Sequence, residues 1–265
     1  MSSVNHLAKI RTDVSRSWYI TGALLSFIAL LFLWFLLSYG NFVNNNFLPT
    51  PSRVLIEFVR YIQLPNFWTD IGISLYRISM GFILAAVLGI PLGIMAGTFK
   101  FAEAVIQPIT EFVRYIPATA FIPLIMVWAG IGEPAKIMVI FIGTFFQVVL
   151  MVADNVRSVP QDLLNAAYTL GASRSQVIYR VLIPAMMPGL MDTLRLIIGW
   201  AWTYLIVAEL VAANSGLGYS ILKAQRFLRT DIIFVGMLTI GALGLMTDRL
   251  FIYLNKRMFT WDEDK

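Results

Sequence analysis

The stretch ISMGFILAAVLGIPLGIMAGTF, residues 78–99, contains no charged side chain and decides the class of fold. A helix needs about 20 apolar residues to cross the hydrocarbon core of a membrane, and this run is long enough. The whole chain has the same character: 58% of its 265 residues are hydrophobic, 13% are charged and the mean hydropathy is +0.76. A soluble core of this chain length could not bury so much apolar surface. The sequence therefore predicts an all-α polytopic membrane protein.

Six stretches are predicted to cross the membrane. The first lies between Arg16 and Arg53, and the second is the stretch quoted above. The other four are residues 115–132, 137–153, about 190–212 and about 232–254. The first apolar run, Tyr19–Tyr39, is longer than a signal-peptide core and no A-x-A site follows it, so we expect it to be retained. This divides the chain into a tail (1–17), a membrane domain (18–254) with a polar segment (155–188), and a second tail (255–265).

The positive charges predict the orientation, because Lys and Arg are enriched in loops on the cytoplasmic side. Six crossings place both termini on one side, and the basic residues favour cytoplasmic termini. The inner segments then hold Lys9, Arg11, Arg16, Lys100, Arg157, Arg174, Arg180, Arg249, Lys256, Arg257 and Lys265, against Arg53, Arg60, Lys136, Lys223, Arg226 and Arg229 outside. The net charge of +5 is explained in the same way and does not indicate nucleic-acid binding. The absence of cysteine excludes thiol chemistry.

Two spans carry residues that predict special packing. Gly89, Gly93 and Gly97 recur at every fourth position of the second span, a spacing that lets helices approach closely. Ordinary helix packing and a moving interface are both compatible with this pattern. Pro117 and Pro123 lie in the third span, where each removes a backbone hydrogen bond, and indicate an irregular helix lining a pathway.

The segment that follows the first span is predicted to be an amphipathic helix at the outer interface. Val54, Phe58 and Tyr61 recur at helical spacing, with Arg53 and Glu57 between them.

The polar segment is predicted to form two short helices that meet at a glycine. Pro160 is suited to the first turn of the first helix, and Gly171 to the position just after its end. Ser173 and Gln176 have the spacing of a capping box that starts the second helix. Pro184 and Pro188 are expected to end this second helix before span five.

Small residues gather at the bend of this segment, and Leu163, Leu164 and Tyr168 supply a short apolar face. From the residues alone, a helix that inserts into a groove on a partner protein and a loop that packs on its own chain are equally open.

Ionisable residues inside membrane spans are costly and are therefore candidates for function. Glu209 in span five is predicted to be either a gate near the outer mouth or a carboxylate paired with a neighbouring helix. Arg77 and Arg195 lie at span edges, where each could extend to the lipid headgroups. Glu111 and Arg114 are three residues apart and could form a local pair. His6, the only histidine, lies in the polar tail, and no role is predicted for it.

The polar segment resembles the EAA motif of permease subunits of ATP-binding-cassette (ABC) importers. The motif reads E-A-A, three residues, G-A, and later a proline. This chain has Asn165-Ala166-Ala167, Gly171-Ala172 and Pro184, so the spacing is kept and the Glu is replaced by Asn165. In that family the segment forms coupling helices that dock on the ATPase. The resemblance therefore assigns ATPase coupling to Leu164, Asn165, Ala166, Ala167, Gly171, Ala172 and Ser173.

Other stretches are similar to one branch of that family, the sulfonate, taurine, nitrate and bicarbonate permeases. They are FLPTPSRV (47–54), SLYRISMGF (74–82), IPATAFIPLIMVWAGIGEPAKI (116–137), TLRLIIGWAWTYLIVAEL (193–210) and SGLGYSI (215–221). The resemblance implies a type I ABC importer permease fold in the bacterial inner membrane. It also implies a second permease copy, ATPase subunits, an external solute-binding protein and surrounding lipid as partners. This chain would bind no cofactor, since ATP and Mg belong to the ATPase.

The implied anionic solute would require a positive or donor-lined pathway. The candidates for a pathway or gate are Glu209, Arg77, Thr119, Trp202 and Thr203, with Trp200 and Tyr204 as further possibilities. Trp200 and Trp202 are equally compatible with the core of the bundle.

Two other classes of protein fit the composition less well. A stand-alone secondary transporter or channel would need an ion-coupling site and often carries inverted repeats, of which the sequence shows none. An intramembrane enzyme would need a nucleophile with its base, or metal ligands, and the chain offers very few such residues. A P-loop, G-x-x-x-x-G-K-S/T, is also missing from the sequence, so ATP would be bound by a partner.

Overall fold

The computed structural model describes residues 15–40 and 42–261, which are helical with short connections and contain no strand. The predictions for residues 1–14 and 262–265, including those for His6 and Lys265, lie outside this range. The helices are α1 (Arg16–Tyr39), α2 (Pro51–Tyr61), α3 (Pro65–Thr98), α4 (Lys100–Arg114), a 3₁₀ turn (Ala118–Phe121), α5 (Ile122–Ala129), α6 (Glu133–Arg157), α7 (Gln161–Thr169), α8 (Arg174–Val177), a π-turn (Ile178–Leu182), α9 (Ile183–Ala212), α10 (Leu217–Arg226) and α11 (Thr230–Met258). The predicted all-α class is confirmed.

Helices α3 and α6 pack in parallel along a line of glycines. A methyl group added to Gly81 would lie 2.7 Å from the side chain of Ile140, and one added to Gly97 would lie 2.6 Å from that of Val156. Gly89 and Gly93 meet α6 in the same way between these two points. The predicted stripe is therefore a packing face that brings two helix backbones together. The core lies between α3, α6 and α9 and includes Ile140, Val148, Ile197, Ala201 and Leu205.

The parallel packing requires the chain to cross the bundle once more between α3 and α6. Both helices begin at one end of the bundle, termed the Arg77 end, and finish at the other, termed the Gly171 end. Helices α4 and α5 make the return crossing with a bend of 92° between α4 and the 3₁₀ turn plus α5. With the five long apolar helices, this gives the six predicted crossings.

The prediction that residues 115–132 form a complete span is wrong. Helix α5 has eight residues and is only about 12 Å long, so α4 supplies the rest of this crossing. Pro117 precedes the 3₁₀ turn and Pro123 lies in the first turn of α5, which confirms the predicted irregularity.

The second half of the polar segment runs without interruption into the fifth span, and the prediction that Pro184 and Pro188 end it is wrong. One continuous helical path leads from Arg174 to Leu210. A proline disturbs an α-helix because it lacks an N–H and crowds the carbonyl four residues earlier. The wider π-turn directly before Pro184 provides room for the ring, and Pro188 is accommodated inside α9.

Helix α1 lies at the periphery and presents its apolar side chains outward. None of its most apolar window is buried. Its last turns contact the bundle, where Trp34 stacks on Phe234 at 5.2 Å and donates to the Pro49 carbonyl at 2.9 Å. Helix α1 therefore begins near the Gly171 end, where α11 also finishes.

Helix α2 forms as predicted, and an ionic cluster ties it to α11. Thr50 caps its first turn and Val54 is buried. The buried Asp231 carboxylate accepts from Arg53 Nε and from Arg229 Nε, both at 3.0 Å, and Arg229 also pairs with Glu57 at 3.1 Å. Its hydrogen bonds to Asp231 raise the pKa of Arg229. Burial raises the pKa of the Tyr61 hydroxyl nearby.

Candidate functional site

The corner between α7 and α8 is built by local hydrogen bonds that the sequence predicts. Gly171 has φ +84°, and its N–H donates to the Tyr168 carbonyl at 2.9 Å while the Ala172 N–H donates to Ala167 at 3.1 Å. These two bonds form a Schellman motif that ends α7. Both bonds of the predicted capping box between Ser173 and Gln176 are present and start α8.

The corner projects from the bundle. Helix α7 has no buried residue, and Leu163 and Tyr168 are both exposed. Asn165 and Ala166 are exposed, and the Asn165 side-chain oxygen accepts from Gln161 Nε2 at 3.3 Å.

Part of the corner contacts the bundle. Leu164 is half-buried and packs against the core. Ala167 and Ala172 are half-buried as well, while Gly171 and Ser173 are exposed. The Arg174 guanidinium lies over the Phe99 ring at 5.0 Å and so fixes α8 to the end of α3.

A second cluster, at the Arg77 end, is ionic and buried. Arg77 has no exposed surface and donates two hydrogen bonds to Glu133 at 2.6 and 2.7 Å. Its Nη1 also donates to Glu209 Oε1 at 2.7 Å and to the Ser215 carbonyl at 2.8 Å. Glu209 is likewise fully buried. The cluster therefore joins α3, α6 and α9 through one guanidinium.

This cluster also fixes the turn that follows α9. Glu209 Oε2 accepts from the Gly218 N–H at 2.7 Å, and Ser74 Oγ donates to Glu209 while accepting from the Leu217 N–H. Gly216 has φ +119°, and a methyl group there would overlap the Glu209 carboxylate. The turn can approach the carboxylate because this position has no side chain.

This geometry bears on one of the two predicted roles of Glu209. The carboxylate is paired with a neighbouring helix, and its role as a gate stays a prediction. The expectation that Arg77 extends to the headgroups is wrong, because its side chain is fully buried and pairs with Glu133 and Glu209. Arg195 pairs with Asp248 on α11.

Glu111 and Arg114 form their side-chain hydrogen bonds with other residues and not with each other. Glu111 accepts from Gln107 at 2.7 Å and Arg114 donates to Tyr115 Oη at 3.0 Å.

The other predicted pathway residues lie apart from this cluster. Trp202 is buried and donates to Thr247 Oγ1 at 3.1 Å, so it belongs to the core of the bundle. Thr119, in the 3₁₀ turn, and Thr203 and Trp200, on α9, are exposed. Their assignment to a pathway stays a prediction.

Two concave features were not predicted. A cleft of about 750 Å³ opens at the Arg77 end, with Tyr61, Asp70, Asn214 and Lys223 among its lining residues. A cavity of about 20 Å³ lies beside the bend between α4 and α5, where Arg114, Gln147 and Tyr204 meet. A polar residue inside an apolar stretch was the available signal for Gln147. Within the described ranges, no group of His, Cys, Asp and Glu could hold a metal ion.

Comparison with known proteins identifies the family of this chain. A family model described as the binding-protein-dependent transport system inner membrane component matches residues 89–260. The chain belongs to this family. The permease is a multi-pass inner-membrane protein and a transport component of an ABC importer. It is not an enzyme, because ATP hydrolysis belongs to a separate ATPase subunit; the family also implies a solute-binding partner.

Relatives of known name support the assignment over nearly the whole chain. The permease is 40% identical to a probable ABC transporter permease protein of Brucella abortus, over 91% of this chain and 95% of that one. It is 33% identical to the taurine transport system permease protein of Escherichia coli, over 96% and 93%. It is 34% identical to the nitrate import permease protein of Synechocystis, over 85% and 84%.

The fold is also that of solved transporters. A bacterial ABC transporter that imports the acidic polysaccharide alginate aligns with a TM-score of 0.61 at 18% identity, over 92% of this chain and 97% of that one. The MetNI methionine ABC transporter aligns with a TM-score of 0.52 over 76% and 96%, also at 18% identity. At this level of identity the likeness concerns the fold alone.

Proposed function

We propose that the permease imports a small anionic solute, such as a sulfonate, taurine, nitrate or bicarbonate, as a homodimer. ATP and Mg are bound by the partner ATPase, and lipid covers the apolar surface of α1. The names of the taurine and nitrate relatives support this class of solute. A putative aliphatic sulfonates permease of Bacillus subtilis, 32% identical, supports it as well.

The Gly171 end faces the cytoplasm in this proposal. The segments predicted to be cytoplasmic carry more basic residues than the outer ones, and the exposed α7–α8 corner is at this end. The Arg77 end, with its polar cleft, then faces the solute-binding protein. Both described ends of the chain lie on the cytoplasmic side.

The continuous helix from Arg174 to Leu210 is the observation that carries the coupling mechanism. Its first residues belong to the exposed corner, and Glu209 at its far end accepts from the Gly218 N–H in the turn that follows α9. A displacement applied to the corner by the ATPase is therefore transmitted along one rod to the opposite end. Closure of the ATPase pair would draw two corners together and turn the pathway outward.

The coupling proposal is tested by filling the exposed surface of α7. In Ala166→Trp the new side chain occupies solvent in the isolated chain, so insertion and folding are preserved. We expect this variant to lose capture of the ATPase subunit and solute-stimulated ATP hydrolysis in proteoliposomes. Lys256→Trp, also exposed at the Gly171 end, is the matched control. Normal coupling in Ala166→Trp, or uptake by the chain alone without ATP, would contradict the proposal.

A further inference from the structure

Arg114 is a charged residue at the middle depth of the bundle. The cavity that it lines is also lined by Gly143 and Gln147. These two residues are ten positions from the two ends of α6, Glu133 and Arg157. At 1.5 Å per residue, each lies about 15 Å from the nearer end of the helix. An arginine side chain is shorter than this and could not reach a headgroup region.

The charge of Arg114 lacks a carboxylate partner among the residues that the structure describes. Its hydrogen bond goes to Tyr115 Oη at 3.0 Å, and its guanidinium lies 4.9 Å from the centre of the Tyr115 ring. Glu111, one turn earlier, accepts from Gln107 instead. Arg77, which is fully buried in the bundle, has two carboxylates. A side chain at this depth without a carboxylate requires water or an external anion.

The groups that line the cavity beside Arg114 include hydrogen-bond donors of the kind that bind an oxyanion. Gln147 contributes an amide with two donors, and Tyr204 a hydroxyl. The Tyr204 ring packs on the backbone of Gly143, where an added methyl group would lie 2.6 Å away. A guanidinium presents a planar pair of donors that matches two oxygens of a sulfonate, nitrate or bicarbonate. Arg114 is exposed, and it lines this space beside the bend between α4 and α5.

We propose that Arg114, Gln147 and Tyr204 form an oxyanion subsite halfway along the translocation pathway. The inference rests on the proposed import of an anion. It adds that Arg114 receives the negative charge of the solute at the depth where the bilayer opposes a charge most. Arg114 binds the anion between the two mouths, and Gln147 and Tyr204 supply neutral donors that orient it.

The natural absence of cysteine allows a direct test. Gln147→Cys is made in the full chain, expressed with its ATPase and binding-protein partners. It is treated in membranes with an anionic and a cationic methanethiosulfonate reagent, sulfonatoethyl and trimethylammonioethyl. The labelling rate of each reagent is divided by the rate at which the same reagent reacts with a free thiol in solution. A unit charge roughly 6 Å away in water changes each rate by about threefold in opposite directions, so the ratio should favour the anionic reagent by about tenfold.

Four comparisons make the result specific. We expect Arg114→Gln to abolish the preference for the anionic reagent, Arg114→Lys to keep it, and Arg60→Gln on exposed α2 to leave it unchanged. Val87→Cys, exposed on α3 near the Gly89–Val148 contact and thus at a similar depth, should be unreactive to both reagents. Slower labelling in the presence of sodium nitrate or sodium methanesulfonate, but not sodium chloride, would add direct support.

Two outcomes would overturn the subsite. Gln147→Cys could be as unreactive as Val87→Cys, or its preference could survive Arg114→Gln. Labelling needs only the inserted chain, so its result tests the role of Arg114 independently of the ATPase. Failure of the same membranes to yield an ATPase complex would count against the proposed function.

Discussion

Removing the guanidinium of Arg77 should destabilise the permease far more than removing that of an exposed arginine. Arg77→Met deletes two hydrogen bonds to Glu133, one to Glu209 and one to the Ser215 carbonyl. It leaves the fully buried Glu209 without its counter-charge. Breaking a buried ion pair from one side typically costs about 3–5 kcal/mol, and we expect a loss in this range.

Glu209→Gln should cost less, about 1.5–3 kcal/mol, because Arg77 keeps Glu133. The loss is not zero, since both Glu209 oxygens accept hydrogen bonds from donors. The amide nitrogen of a glutamine would therefore face a donor. Since the two partners are coupled, the double variant Arg77→Met/Glu209→Met should lose less than the sum of the two corresponding single variants.

The assay is the free energy of unfolding in mixed micelles, from a denaturing-detergent titration followed by tryptophan fluorescence. Arg60→Met is the control, because the Arg60 side chain is 72% exposed and its contact with Glu57 is 3.8 Å long. An exposed pair of this kind contributes about 0–1 kcal/mol. If Arg77→Met were destabilised by no more than Arg60→Met, the cluster would not hold α3, α6 and α9 together.

Three further perturbations test the packing and the corner. Gly93→Ala should lose about 1–3 kcal/mol in the same titration, because its methyl group would lie 2.6 Å from Val152. Gly72→Ala in the same helix has open space and should gain about 0.5–1 kcal/mol. A change of the same sign in the free energy of unfolding of both variants would refute the packing argument. Gly171→Ala should lose about 1–2 kcal/mol through its φ of +84° alone, and an unchanged free energy of unfolding would show that the corner relaxes. Asn165→Ala should weaken capture of the ATPase subunit about fivefold, as the loss of one hydrogen bond does, and an unchanged Kd by interferometry would remove Asn165 from the docking surface.

Local features of the fold were predictable from contiguous residues. The charge-free stretches predicted the long helices, and the Gly171 and Ser173 signals predicted the corner between α7 and α8. Hydropathy, capping and a positive φ each depend on a few neighbouring residues, so a linear sequence contains them. The predicted helix boundaries were wrong at two prolines. The π-turn accommodates Pro184 within a continuous helix, and the bend at Pro117 makes α4 part of a crossing.

The sequence by itself thus determined the class of fold, the number of crossings and the glycine bend and capping box between α7 and α8. The tertiary structure decided the partners of the charges. Arg77 and Glu209 are separated by 132 positions, and Glu133 joins them from a third helix. Arg114 and Gln147 likewise share a cavity only because α4 bends against α6. Such pairings depend on which helices are neighbours and at what depth, and these are set by packing over the whole bundle, which short-range sequence patterns do not specify.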